Sequence, residues 1–262
     1  MNYIIKLTTF FSILFFLSAP MLVKGQDDFM DLLLLFVDEK YDVCFHKSLK
    51  YNEKEKTKKH PLPYLYAAMS SFEMSQDHKY TNMYPKAYKT ALSYLGKYRK
   101  KDKGYEYRED AEDFTEKIKM IVAEDIENYI EQATETTYGK AAGFAKKICS
   151  IDPDDYGCKL LYGHLCILTK NRSTAKEYMK PSIDYIKSLS QDKFAFKNMT
   201  HSQQHYLKFA IINLATYQKN KNITDARETL ELGKDYFYTQ RDDCLLEDNR
   251  DFISIYDEIF SN

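Results

Sequence analysis

The segment "HSQQH" sets His201 and His205 at i and i+4, on one face of a helix and at the spacing of two zinc ligands. A helical metalloprotease also needs a glutamate directly after the first histidine. Ser202 stands there and no third ligand is evident, so the pair reads as a polar helix start. Paired carboxylates recur in "DDFMD", "EDAEDF" and "RDDC", but charged residues make up 29% of the chain, and at that density acidic pairs fall on solvated helix faces. No Ser, His or Cys stands in a nucleophile motif and no Gly-rich phosphate loop follows a strand. The expectation is therefore no catalytic residue, no metal and no cofactor.

Cysteine chemistry is the exception. Cys44, Cys149, Cys158, Cys166 and Cys244 include no Cys-x-x-Cys pair, which removes the usual zinc and thioredoxin-like readings. An odd number in an exported chain leaves at least one thiol free or intermolecular. Cys149 ends one apolar run and Cys158 begins the next, across the tight joint "SIDPDDYG", so a Cys149–Cys158 disulfide competes with buried free thiols.

The elements that position these groups are helices. Apolar residues recur at three- and four-residue spacing and strict alternation is scarce, while 8 Gly and 6 Pro are few for a chain built of short strands and turns. The periodicity predicts helices over 28–38, 39–52, 62–76, 83–101, 105–133, 138–150, 155–169, 172–189, 201–219, 224–239 and 247–260. Asp154 and Asp155 supply a cap after Pro153, and Thr224 or Asp225 another, so connections are short and consecutive helices antiparallel.

Residues 1–25 read as a secretory signal: a basic start at Lys6, an uncharged apolar run over 7–23, and Gly25 before Gln26. The run lies at the lower edge of what a membrane-spanning helix needs. The remaining 26–262 form one domain, and without Lys6 and Lys24 its 36 basic residues face 39 acidic ones, a formal charge of −3 that gives no nucleic-acid signature. Sequons at Asn171, Asn198 and Asn222 would be glycosylation sites in a eukaryotic secretory route, but periplasmic or extracellular placement in a bacterial envelope is the expectation.

Gly163 and Ala175 are twelve residues apart, as are Leu214 and Ala226, and Ala141 precedes Ala175 by 34. With Gly163 in the small helix-A place, where it lets the neighbouring backbone approach, Tyr217 in the helix-A aromatic place and Pro153 closing a unit, this pattern resembles the tetratricopeptide repeat family. Ala68 and Ala87 mark an earlier, lengthened unit, whereas Cys166 and Lys159 depart from the usual aromatic and tryptophan. The resemblance implies an all-α, right-handed superhelical solenoid of about five antiparallel hairpins with a C-terminal capping helix. It also implies a concave face built by the first helix of each hairpin, here Leu65, Met69, Phe72, Ile126, Ile130, Leu160, His164, Ile167, Ile211 and Gln218.

Such a surface suits a protein or peptide partner, and the chain reads as an exported, non-catalytic scaffold. The competing readings are an exported helical hydrolase and a glycan- or nutrient-uptake accessory using its 23 Tyr and 16 Phe, most of which are expected in the core. The connections over 46–60 and 97–103 are basic, and 241–262 is acidic. On stacked hairpins these fall on one edge, so Lys54, Lys56, Lys58 and Lys59 form a basic end suited to an acidic partner.

Overall fold

A residue pattern with a period near 3.6 shares one face only in a helix, and the computed structural model places helices on all eleven predicted segments. It describes residues 29–189, 195–239 and 242–261, among which there is no strand. The expected signal, 1–25, lies outside the described residues. The helices are α1 (Met30–Val37), α2 (Tyr41–Glu53), α3 (Leu62–Gln76), α4 (Ala87–Lys101), α5 (Arg108–Glu131), α6 (Glu135–Ile151), α7 (Tyr156–Leu168), α8 (Arg172–Leu189), α9 (His201–Lys219), α10 (Ile223–Gly233) and α11 (Arg250–Phe260). The last predicted turn of the tenth segment is a π-helical turn, Lys234–Tyr238.

Side chains that accept the orphan N–H groups set the helix starts. Thr134 and Thr200 form capping boxes with Thr137 and Gln203, and Asp155 accepts from the Cys158 N–H. Two of the sequon asparagines do the same work: Asn222 accepts from Thr224 N at 3.1 Å and Asn171 from Thr174 N at 3.4 Å. Both asparagines therefore have a structural role as helix caps.

Packing runs mainly between sequence neighbours, α2 on α3, α3 on α4, α5 on α6, α6 on α7, α7 on α8 and α9 on α10. A second set skips one helix, joining α4 to α6 and α7 to α9. Both sets meet at α7, which is therefore buried from Leu160 to Cys166 without a break. Two glycines permit this. A Cβ on Gly163 would lie 2.5 Å from Met179 Cγ of α8, so the expected close approach is present. A Cβ on Gly157 would lie 2.4 Å from Leu207 N and 2.6 Å from Leu207 Cα, so here α7 meets the backbone of α9 itself.

Hydrogen bonds link alternate connections in chain order. Tyr107 Oη lies 3.1 Å from His60 Nε2, Tyr105 Oη donates to Asp154 at 2.6 Å, and Gln203 Nε2 donates to Asp152 at 3.0 Å. Gln204, buried next to it, donates to Asp243 O and accepts from Leu245 N. The connections after α2, α4 and α6, the first turn of α9 and the connection after α10 thus follow one another along one side.

Candidate functional site

The cleft forms where α6 ends. The helix stops at Asp152, whose backbone N–H still bonds Ile148 O, and Pro153 prevents continuation until Asp155 caps α7. Asp155 gives one carboxylate oxygen to Cys158 N at 2.8 Å, and its other oxygen lies 3.1 Å from Lys119 Nζ. Asp152 sits 2.5 Å from the same nitrogen and Glu116 3.8 Å. Lys119 is fully buried in α5, so its ammonium has exchanged water for three carboxylates. Glu116 is fixed from α9 by the Thr200 and Ser202 hydroxyls, each at 2.8 Å, and Tyr206 Oη donates to Lys119 O.

One cation cannot satisfy two buried aspartates equally. Burial disfavours the Lys119 charge, but Asp155, Asp152 and Glu116 outweigh it and hold the ammonium above its ordinary range. Burial likewise raises Asp152, yet Lys119, Gln203 and the Asp154 N–H hold it below the usual carboxylate range. Asp155 is pushed up to about 6, first by its complete burial and then by the Asp152 charge, against the pull of Lys119.

Beside this cluster opens a cleft of about 320 Å³. Arg99, Arg108, Glu112, Glu116, Asp152 and Asp154 line it, with Tyr105, Tyr185, Met199 and Gln203. Two tyrosines stand out. Tyr105 has φ 57°, a left-handed backbone that a bulky residue rarely adopts, and is nevertheless 38% exposed. Its hydroxyl is held by Asp154 and its ring lies 4.2 Å from the Arg99 guanidinium; the Asp154 bond, followed by burial, pushes its hydroxyl up to about 12. Tyr185 is 37% exposed and stacks on Tyr156 with centroids 3.8 Å apart. The cleft therefore presents aromatic faces already fixed in place. Its carboxylates are engaged, Glu112 by Arg108, Glu116 by Thr200 and Ser202, Asp152 by Lys119 and Gln203, and Asp154 by Tyr105.

The residues expected on a concave face fall elsewhere. Leu65, Phe72, Ile126, Leu160, His164 and Ile211 are buried in the core, while Met69, Ile130, Ile167 and Gln218 are half-buried. The reason is visible in α7, which is covered by α6, α8 and α9 and keeps no apolar face for a partner. Gln218 is occupied as well, accepting from Thr229. Lys54, Lys56 and Lys59 are exposed in the connection after α2, and Lys58 is half-buried and paired with Glu55 at 2.6 Å. His205 pairs with Glu127 at 2.9 Å while His201 is exposed. Among the described residues no group of three or more His, Cys, Asp or Glu is placed to hold a metal ion, and no helix is long and apolar enough to cross a membrane. Cys149 and Cys158 are free thiols with their sulfurs 3.9 Å apart.

Sequence reasoning missed Lys119, Tyr105 and Tyr185. Lys119 left a trace: it precedes Val122 by three and Ile126 by seven, a charge on the apolar stripe of its own helix. Tyr105 and Tyr185 left none, because 80 residues separate them and only the fold brings them to one cleft. No protein-family model, curated protein or solved structure matches this chain.

Proposed function

We propose that the chain is an exported, tetratricopeptide-like solenoid of five helix hairpins, α1 to α10, closed by α11, and that it acts as a non-catalytic scaffold for a protein or peptide. The skip-one packing of α7 on α9 and the bonds between successive connections support the stacked reading. The observation that carries the binding role is the pair of pre-positioned, exposed tyrosines over the charged cleft. Rigid aromatics beside arginine contribute most of the energy at many protein interfaces, and a strained Tyr105 backbone is retained where the position matters more than its cost. A partner segment would place apolar or aromatic side chains on Tyr105 and Tyr185 and its polar groups against Arg99 and Gln203.

The competing enzyme reading draws on the four carboxylates of the cleft. Against it, each is already bonded in place, and the carboxyl shifted into a working range, Asp155, is fully buried away from the cleft. Capture from the envelope fraction with wild-type chain and a Tyr105→Ala/Tyr185→Ala variant separates the readings. A protein retained by the first and lost by the second is the expected result; retention of a small molecule or glycan alone would overturn the scaffold role.

A further inference from the structure

Cys149 borders a second pocket, of about 390 Å³, which Pro153 also lines and which shares Arg99 and Tyr105 with the tyrosine cleft. Arg99, Lys100 and Lys103 line it, and no carboxylate does. Cys149 is half-buried there, while Cys158 lies fully buried behind it, its sulfur 3.9 Å from that of Cys149 and 3.5 Å from Ala145 O. A partly accessible thiol in a cationic surround, backed by a second thiol within reach, is the arrangement in which thiol–disulfide exchange proceeds and resolves.

We propose that Cys149 is an entry thiol for anionic, carboxylate-bearing disulfides, and that Cys158 resolves the mixed disulfide to a Cys149–Cys158 bond. The Cys149 thiol releases its proton to water and its thiolate attacks one sulfur of the incoming disulfide. The other half leaves as a thiolate and takes up a proton. Cys158 then loses its proton and attacks Cys149 Sγ, displacing the second half. Two electrons pass from the protein dithiol to the incoming disulfide, which leaves as two thiols. The cations of the pocket hold the carboxylates of the incoming molecule beside Cys149. Burial pushes the Cys158 thiol well up, so it serves the second step rather than the first. The bond would join the last turn of α6 to the first turn of α7 and lock the joint that carries Asp152, Asp154 and Asp155. The inference does not rest on the proposed scaffold function, although the two pockets share Arg99 and Tyr105.

The test uses the reduced full chain with oxidised glutathione as the anionic probe and hydroxyethyl disulfide as a neutral one, followed by thiol blocking and peptide mapping. Expected is a Cys149–Cys158 bond, formed from glutathione before Cys44, Cys166 or Cys244 is modified, with Cys158→Ser stopping at a Cys149–glutathione adduct. Lys100→Glu/Lys103→Glu, both at exposed positions, should slow the glutathione reaction roughly tenfold and leave the neutral probe unaffected. That surface variant keeps the question open to refutation even where Cys158→Ser fails to fold. Modification of another cysteine first, or an equal response of both probes to the charge reversal, would sink the proposal.

Discussion

Lys119 shows how one side chain can hold three segments. Its removal leaves Asp152, Asp155 and Glu116 close together without a counter-charge, so Lys119→Met should cost about 3 to 5 kcal/mol. Adding Asp155→Asn should return part of that loss, because asparagine still caps α7 and removes one of the stranded charges. Urea midpoints of the single and double variants check this, and equal midpoints for Lys119→Met and wild type would contradict it. Asp155 also predicts a pH dependence. Its folded value, raised from 3.8 to about 6, means its favourable contribution is complete below 3.8 and is lost as pH rises through 6. Asp155→Asn should therefore gain on wild type by about 2 to 3 kcal/mol above that window, the gain vanishing toward its acid end. His164 has the opposite sign. Buried with its Nδ1 unpartnered, it is lowered from 6.5 to about 4 by burial and then Lys221, so stability present above 6.5 is lost as pH falls through that window. Melting temperatures at intervals from pH 4 to 7 should show His164→Leu losing this acid slope; an unaltered slope would assign the acid sensitivity elsewhere.

Among elements, α7 is the most constrained, because it is packed by three helices and two of its contacts depend on missing side chains. A Cβ on Gly163 would meet the Met179 side chain most closely, with the Met179 backbone N at 3.2 Å, whereas one on Gly157 would meet only backbone, Leu207 N at 2.4 Å, which can yield only if α9 moves. Gly157→Ala should thus cost more than Gly163→Ala, with overpacking of about 1 to 3 kcal/mol at the former. Gly163→Leu should approach the same range, since leucine cannot be accommodated by one methionine rotamer. Urea midpoints of the three variants give the order, and a Gly157→Ala variant as stable as wild type would refute the close approach of α7 to α9.

At the scale of the whole molecule, the connections after α2, α4 and α6 follow one another, and the charge along them changes from the lysines of 46–60 to Asp152, Asp154 and Asp155. A field arranged in this way acts on encounter more than on the final contact. Replacing Lys54, Lys56, Lys58 and Lys59 with glutamate should lower the association rate with an acidic partner and leave dissociation nearly unchanged. The wild-type rate should also fall as salt rises. Surface-binding kinetics at several salt concentrations measure both, and an association rate indifferent to charge and salt reduces the basic end to a solubilising surface.

What the sequence by itself determined was local. The eleven helices, the joint at Pro153, the close packing at Gly163 and the nearness of Cys149 to Cys158 all follow from neighbours within a turn or two, where helical period and capping act. The candidate site was decided by tertiary structure. Leu160 and Ile211 read from sequence as equally fit for a core or a partner surface, since an apolar stripe does not say what will cover it, and α7 and α9 cover each other. Lys119 became the centre of a carboxylate cluster only because α5, the α6–α7 joint and the start of α9 converge on it, and Tyr105 and Tyr185 share a cleft for the same reason. Periodicity is carried by residues three or four apart, whereas burial and charge pairing depend on which distant segment arrives, and that is settled by the packing of the entire chain.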